Sequence, residues 1–557
     1  MKKRYYSFDV FDTCLTRLCG TPRNLFDILA AKTFNSFEHS ERESQRQMFV
    51  ATRLCAQGNN LEDIYRNISQ TIQLPLSVEE MIQAEIVTER DMLVPIASTL
   101  LLVNKLRAKG EILFITDMYL PDSFIKEVLE KNGFFQKGDT LYVSETVGKR
   151  KMDGSLFQMI HSEKSIAYKD WHHYGDNRHS DFCIPRHLGI HSHLIKTRYL
   201  PNEKIWKEYP SLQFPYASIM AGISHALYIQ SNAPSDLKSF VCDLTAPLMV
   251  SWVVSILEDA LCQGIKRIYF CARDTHSEFL IAQILTKHHA RYNVIGVHYL
   301  FVSTKSIESD LCLDYFVQEG LASKKEKVAI VDTRGRGFFI NKINNIMNNG
   351  GYDSAYPYLM QLCYSEDCVQ AEIANKNKMS VFHNIAYTRT SKNRSNAITD
   401  IGWMLENILS LNFHSKTMGY HLLSGKIIPV FQKGEPEIMV PNIRSCKQQQ
   451  DNLLIQYAKA YSLCCLPEVN NIILSAIIAP TLSNFAFAPY KKYLKFLSKI
   501  SLYGKNNTYV HSLFSLKKTI TKGGHWAKGC VFFTFPRPVS ICIDNAHRKI
   551  AKVIKHL

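Results

Sequence analysis

The sequence predicts an α/β protein. A Rossmann-like parallel sheet carries a helical cap insertion, and a second α/β domain and a helical, basic C-terminal region follow. Three observations predict it. Short apolar runs alternate with helical patterns across residues 1–198, as parallel β-α-β units do. A long helical stretch separates the first such run from the second. Two further strand–turn–helix units, KRIYFCARDTHSEFLIAQIL and KVAIVDTRGRGFFINKI, recur in the second half of the chain.

Taken in order, Arg4–Phe11 reads as the first strand. Helical pattern then runs from about Asn24 to Asp91, which sets the cap at about 16–95. Within it Leu61, Ile64, Tyr65, Ile68 and Ile72 recur at helical spacing, and Ser77 with Glu80 three residues on is a capping-box signature. Ile96–Lys109 predicts a helix stopped by Gly110, and Glu111–Asp117 a strand. Ser123–Asn132 predicts a helix stopped by Gly133; a strand at Leu141–Ser144, a helix after Gly154 and a strand at Trp171–Tyr174 complete the first domain, 1–198. A linker punctuated by prolines is expected at 199–215, the second α/β domain at 216–445 with GVHYLFVSTKSI as a further strand, and the helical basic region at 446–557.

Composition limits the class. With 46% hydrophobic and 21% charged residues over 557 positions, the chain is globular rather than disordered. Its fifteen Cys form no C-x-x-C pair, the usage of reduced thiols in a cytoplasmic protein. The start MKKRYY lacks the apolar core of a secretory signal. Leu244–Leu257 is closed by Asp243 and Glu258, and Ile472–Pro489 is broken by Pro480 and Asn484. Both fall short of the roughly 18–20 apolar residues a bilayer needs, so buried helices are expected and no transmembrane segment.

The net charge of +16 is concentrated at one end: Tyr490–Leu557 holds fourteen Lys or Arg and one acid, Asp544. In YKKYLKFLSKISLY the lysines are interleaved with Tyr, Phe, Leu and Ile. That mixture suits an anionic membrane surface through 490–557 better than nucleic acid, because interfacial helices need an apolar flank. The chain is therefore expected in the cytoplasm, peripheral at the inner membrane face. A solvated basic helix packed on the body is the plain alternative.

Four strand ends in the first domain carry reactive or anion-binding side chains, where open parallel sheets collect function. SFDVFDTCLTR has Asp9 and, four residues on, Thr13; ILFITDMYL ends at Thr116. The turn VGKRKMDGSLF holds Lys149 and Lys151, and HHYGDNRHSD places Asp176 and Asp181 beyond a strand. Phosphoryl transfer needs a carboxylate to attack phosphorus, a lysine and a hydroxyl to hold its oxygens, and carboxylates for a hard cation. One D-x-x-x-T says little; four elements in order say much. The histidines His172, His173, His179, His187, His191 and His193 match no zinc-ligand spacing, and His172 and His173 fall on opposite faces of a strand. Packing and surface roles are expected for them.

This constellation resembles the haloacid dehalogenase (HAD) superfamily over about residues 4–198. The resemblance implies a hydrolase in which Asp9 is the nucleophile, Thr116 the phosphate-binding hydroxyl and Lys151 the charge-stabilising lysine. It implies Mg²⁺ held by Asp9, the backbone carbonyl of Phe11 and Asp176, with Asp181 supporting the metal or orienting Lys151. Thr13 joins the anion-binding set, and the cap implies a small phosphorylated substrate. Phosphatases of this superfamily read D-x-D-x-T, whereas here Phe11 occupies the second acid's place and Asp12 follows it. An aromatic there resembles the metal-free dehalogenase branch, but Asp176 has no use in such a site, so phosphate chemistry is preferred.

SFDVFDT, TDMYL and K-x-D-G-S-L-F together resemble a narrower group of long bacterial HAD-like proteins associated with surface-polysaccharide synthesis. YFCARDT and VDTRGRG resemble motifs of that group's second domain, although Arg334 departs from its usual turn. Asp332, Arg334 and Arg336 lie in a glycine-bearing segment between a strand and a helix, and Arg273 and Asp274 at another strand end, positions suited to an anion such as a nucleotide or sugar phosphate. A packing turn is the alternative. The leading expectation is an Mg²⁺-dependent phosphohydrolase acting on a phosphorylated sugar or related metabolite. The alternatives are a glycosyl- or phosphoryl-transferase with its chemistry in 216–445, and a non-catalytic phosphate-ligand scaffold.

Overall fold

The structure is a computed structural model that describes residues 4–196, 200–203, 216–335, 338–362, 414–433 and 441–464. It divides into two units, one centred on Met1–Asn232 and the other on Ala233–Ser462.

In the first unit, YYSF forms β1 (Tyr5–Phe8), and β4 (Glu111–Thr116), β5 (Thr140–Val143), β6 (Trp171–Gly175) and β7 (His191–Leu194) complete a sheet. Its order is β5-β4-β1-β6-β7 and every pairing is parallel. Of the inner strands, β1 and β4 are buried nearly throughout, as in sheets covered on both faces, whereas β6, WHHYG, alternates. Leu113, Ile115, Tyr142, Phe157, Ile160 and Trp171 pack together on one side. Three expected boundaries move inward. The first strand stops at Phe8, so Asp9 to Phe11 form the turn beyond it, and the strands expected at Glu111–Asp117 and Leu141–Ser144 end at Thr116 and Val143. The sequence does not announce β7, HSHL, because an edge strand with no buried residue lacks an apolar run. His172 stacks its ring on His191 and His193 there, the packing role expected of these histidines.

The cap enters and leaves through two short antiparallel strands, β2 (Leu15–Arg17) and β3 (Leu93–Pro95). Between them the expected continuous helical stretch breaks into four: α1 (Pro22–Thr33), α2 (His39–Cys55), α3 (Leu61–Thr71) and α4 (Val78–Met92). The breaks follow capping chemistry. The Thr21 and Asn60 side chains accept from Asn24 and Asp63 N–H, and Ser77 with Glu80 forms the predicted reciprocal box. Glu85 and Glu89, one turn apart on α4, each meet a buried arginine: Arg53 at 2.7 Å and Arg17 at 2.6 Å. Tyr65 Oη donates to Glu85 at 2.6 Å. Buried ion pairs hold only when their remaining polar atoms are matched, and these are bidentate.

After the cap come α5 (Ala97–Arg107), α6 (Asp122–Lys131) and α7 (Ser155–Lys164). The helix α8 (Tyr216–Gln230), which the sequence placed at the start of the second domain, lies in this unit. Gly222 approaches Gly20 so closely that a Cβ on it would sit 2.4 Å from the Gly20 nitrogen.

The second unit begins with α9 (Ser235–Gln263) and builds a four-stranded parallel sheet from β8 (Arg267–Cys271), β9 (Gly296–Leu300), β10 (Val328–Gly335) and β11 (Tyr356–Leu362). The order is β11-β10-β8-β9. Helices α10 (His276–His288), α11 (Cys312–Gln318) and α12 (Phe338–Asn349) flank it, with Phe316, Ile330, Ile343 and Met347 in the core. A hairpin of β12 (Thr417–Leu423) and β13 (Lys426–Phe431) turns at Ser424 and Gly425, both at positive φ as a two-residue turn requires. Helix α13 (Pro441–Leu463) closes the described part, and the basic tail 490–557 lies outside the described residues.

The apolar run Leu244–Leu257 is a buried helix as expected, and Asp243, which closes that run in the sequence, stays within α9 and is fully buried. At 29 residues the helix is long and apolar enough to cross a membrane by length and composition, yet its apolar window is entirely buried inside the fold.

Candidate active site

The register of the first sheet assembles the site. Phe8 pairs with Phe114 on one side and Tyr174 on the other, so Asp9, Thr116 and Asp176 leave three adjacent strands at one edge. The Asp9 N–H donates to the Tyr174 carbonyl at 2.9 Å, which fixes the start of the turn beyond β1. Lys151 reaches in from the turn before α7, and its Nζ lies 2.5 Å from Asp9 Oδ1 and 2.6 Å from Asp181 Oδ1. All three side chains are buried. Lys149, two residues earlier, is exposed.

Asp9, Asp176 and Asp181 can each offer an oxygen within 4.8 Å of the others, a donor set fit for a hard divalent cation such as Mg²⁺. Among the described residues no other group of three or more metal-type ligands gathers, histidines included. Thr13 is buried and donates to Asp176 Oδ1 at 3.3 Å, so it positions the acid. Both Asp181 oxygens are engaged: Oδ1 by Lys151 and His173, Oδ2 by the Asn177 N–H at 3.0 Å. Asp181 therefore chiefly orients Lys151. Thr116 is buried at the end of β4. Phe11 bridges to Leu15 within the turn, and the Arg17 guanidinium lies 4.9 Å from its ring centre.

Electrostatics follow from this crowding. Burial raises the Asp9 carboxyl to about 7 against the opposing pull of Lys151. Burial, with the charges of Asp12 and Asp181, raises Asp176 to about 6. For Asp181 burial also pushes upward, but the His173 hydrogen bond and the Lys151 charge outweigh it and hold the group below the usual carboxylate range. Burial would lower Lys151, yet Asp9 and Asp181 keep it firmly protonated.

Sequence reasoning missed several supporting residues. Asp117 accepts from the backbone N–H of Lys151 at 2.8 Å and pins the lysine turn. Its signal was the acid directly after Thr116. On β6 the fully buried His173 has Nε2 3.3 Å from Asp181, and its Nδ1 lies 2.7 Å from Ser7 Oγ. With Nε2 protonated toward the carboxylate, Nδ1 accepts from Ser7, whose oxygen in turn accepts from Trp171 Nε1 at 2.8 Å. A polar chain thus braces Asp181 from beneath the sheet. Alternation along β6, which turns Trp171, His173 and Gly175 inward, was its only trace.

Beside these loops a cavity of about 720 Å³ is lined by Arg53, four amides (Gln57, Asn59, Asn67 and Gln70), Tyr119 and Arg150 among others. Tyr119 follows β4 and Arg150 immediately precedes Lys151, so the cap's α2–α3 segment roofs the space next to the turns after β4 and before α7.

In the second unit Arg273 and Asp274 lie beyond β8, as expected. The segment of Asp332 and Arg334 is corrected: β10 continues through both, pairing them with Leu359 and Gln361 of β11. The partner strand carries the ladder as far as Gly335. Arg336 lies outside the described residues.

No family model and no curated protein matches the chain. Solved structures similar to it include a HAD phosphatase from Thermococcus onnurineus, 16% identical, with a TM-score of 0.27 over 36% of this chain and 87% of that one. Another is a HAD family enzyme from Bacteroides thetaiotaomicron in complex with magnesium and inorganic phosphate, 15% identical, TM-score 0.26, covering 35% and 95%. A third is a HAD-hydrolase from Bacillus subtilis bound to magnesium, 13% identical, TM-score 0.24, covering 34% and 85%.

Proposed function

We propose that this chain is a HAD-type phosphohydrolase that requires Mg²⁺ and releases phosphate from a phosphorylated sugar or related metabolite through an aspartyl-phosphate on Asp9. The observation that carries the reading is the ammonium of Lys151 set between Asp9 and Asp181, with Asp176 in the same carboxylate group. In this reading an Asp9 oxygen attacks phosphorus, the Asp9–phosphate bond forms as the bond to the leaving oxygen breaks, and water later cleaves the acyl phosphate. Lys151 offsets charge gathering on the phosphoryl oxygens, and Thr116 offers its hydroxyl at the adjacent strand end. A cation held by Asp9, Asp176 and the Phe11 carbonyl would add positive charge there and draw the anionic substrate to an anionic nucleophile.

The sugar assignment draws on the cavity: four amides suit a leaving group rich in hydroxyls, and the exposed Arg150 suits its phosphate end. A role in surface-polysaccharide synthesis, in the cytoplasm, rests on the motifs alone. Phe11 favours the metal-free dehalogenase reading, since it removes the usual leaving-group acid. The second carboxylate, Asp176, beside Asp9 opposes it.

The test is phosphate release from a panel of sugar phosphates with and without Mg²⁺. The parent should release phosphate only with the metal, and a folded Asp9→Asn variant should release none, because an amide neither attacks phosphorus nor binds the cation well. Full activity in that variant removes the mechanism, and metal-independent halide release from haloacids replaces it.

A further inference from the structure

The phosphohydrolase reading uses nothing in the second unit, although that unit has the architecture of a ligand site. In the order β11-β10-β8-β9, the chain steps from β8 to β9 on one side and to β10 on the other. Open parallel sheets bind ligands beyond the carboxyl ends of strands at such a reversal, which here falls between β8 and β10, so the residues that follow β8 border it.

The residues gathered there are distinctive. Arg273 and Asp274 follow β8, and α10, a helix of thirteen residues, starts two positions later at His276. The segment leading into β12 crosses the end of β9. Ser303 Oγ donates to the Thr417 carbonyl at 2.6 Å, and Tyr299 Oη pairs with His414 Nε2 at 3.2 Å. His414 Nδ1 is turned to the Ser415 carbonyl at 2.9 Å, so both its nitrogens are spent on holding the segment in place. This brings Lys416 into range of Asp274, whose buried carboxyl is raised by burial and lowered by Arg273 and Lys416.

Two cations therefore share one acid that is itself being pushed toward neutrality. Elsewhere in this unit three half-buried or buried cations have carboxylate partners: Arg267 with Glu326 at 2.9 Å, Arg291 with Glu258 at 2.8 Å, and Lys447 with Asp451. Arg273 and Lys416 are half-buried yet form no ion pair and no side-chain hydrogen bond among the described residues. Nearby, the buried Nδ1 of His276 also lacks a hydrogen-bond partner. Partly desolvated charge without a partner is unfavourable, and an anion would supply the missing counter-charge.

We propose that the carboxyl edge of β8 and β9 is a second anion site, independent of Asp9, in which Arg273 and Lys416 bind the phosphate groups of a diphosphate at the N-terminus of α10. The guanidinium fork suits two phosphate oxygens at once, the ammonium a third, and the helix end adds favourable potential. The shared chemistry is the diphosphate group. Inorganic pyrophosphate and a nucleoside diphosphate are its two sources.

The experiment is isothermal titration calorimetry of the full chain in a Lys151→Ala background at low salt, with pyrophosphate, UDP and inorganic phosphate as probes. That background removes the first unit's own phosphate-holding cation. Pyrophosphate or UDP should bind, more weakly as salt rises, and Arg273→Ala or Lys416→Ala should each weaken binding by about tenfold or more. Tighter binding of UDP than of pyrophosphate assigns a nucleotide; equal binding assigns the bare diphosphate. In the otherwise unaltered chain, Arg273→Ala should leave Mg²⁺-dependent phosphate release unchanged, so failure here is separable from failure of the first site. Should either alanine variant unfold, Arg273→Lys and Lys416→Met replace them, the first expected to keep most affinity and the second to lose it. No binding of either diphosphate, or equal binding by folded variants that lack the charge, overturns the proposal.

Discussion

At the scale of single residues, the first unit separates two lysines that sequence places two positions apart. Lys151 is buried between two carboxylates and Lys149 is exposed. Lys151→Ala should lower kcat for phosphate release by about 10²–10³-fold, the usual loss for a charge-stabilising group, while Lys149→Ala stays near the parent. Comparable losses in both would mean the turn is misassigned. Proton competition gives a second expectation. Burial raises Asp176 to about 6, above its unfolded value, so the folded protein holds this proton to higher pH than the unfolded chain does. A cation must displace it, and apparent Mg²⁺ affinity should therefore rise with pH from about 5 upward. Because Asp9, the other carboxylate ligand, is raised to about 7, that rise should continue to about pH 8 before it levels; affinity measured by titration calorimetry that does not change between about pH 5 and 8 would place the metal elsewhere. Asp9, Thr116 and Asp176 were legible as positions because each stands at or just beyond a strand end, and Lys151 and Asp181 because they lie in the segments that follow β5 and β6. His173, Ser7 and Asn177 were not, since their roles come from which strand lies beside which, and pairing order is not written in local pattern.

At the scale of elements, strand and helix identity was mostly legible and boundaries were less so. The capping box at Ser77 was readable because its two partners are three residues apart. The extension of β10 through Arg334 was not, because it depends on β11, more than twenty residues away. The cap's cohesion likewise rests on pairs distant in sequence. Glu85 and Glu89 on α4 neutralise Arg53 from α2 and Arg17 from the neck. Glu85→Ala strands the Arg53 charge and leaves Tyr65 Oη without its acceptor. Removing one partner of such a buried pair costs about 3–5 kcal/mol, and the first unit should melt correspondingly earlier by differential scanning calorimetry. Exchanging the pair together, Arg53→Met with Glu85→Leu, should recover much of that loss. An unchanged melting temperature in Glu85→Ala would show the pair to be solvated in solution.

At the scale of the whole molecule, charge is distributed unevenly along the chain, with fourteen basic residues and one acid in 490–557. We propose that this segment holds the protein against anionic lipid. Each Lys or Arg near such a surface adds about 1 kcal/mol, screened by salt. The full chain should sediment with vesicles containing phosphatidylserine at low salt, and a chain ending at residue 489 should not. Equal sedimentation of both, or a preference for duplex DNA at matched salt, would remove the lipid assignment.

The antiparallel pairing of Leu15–Arg17 with Leu93–Pro95 means that the chain departs from the core and returns to it at a single point. An insertion whose ends already meet behaves topologically as one loop, and the entropy of closing a loop grows only slowly with its length. Such a cassette can lengthen, shorten or be exchanged entire with little consequence for the sheet beneath it. The turns that carry Asp9, Thr116, Lys151 and Asp176 all lie outside the cassette, whereas Arg53 and the four amides of the cavity lie within it. If the proposed function holds, exchanging the cassette should change which substrate is accepted while leaving these turns in place.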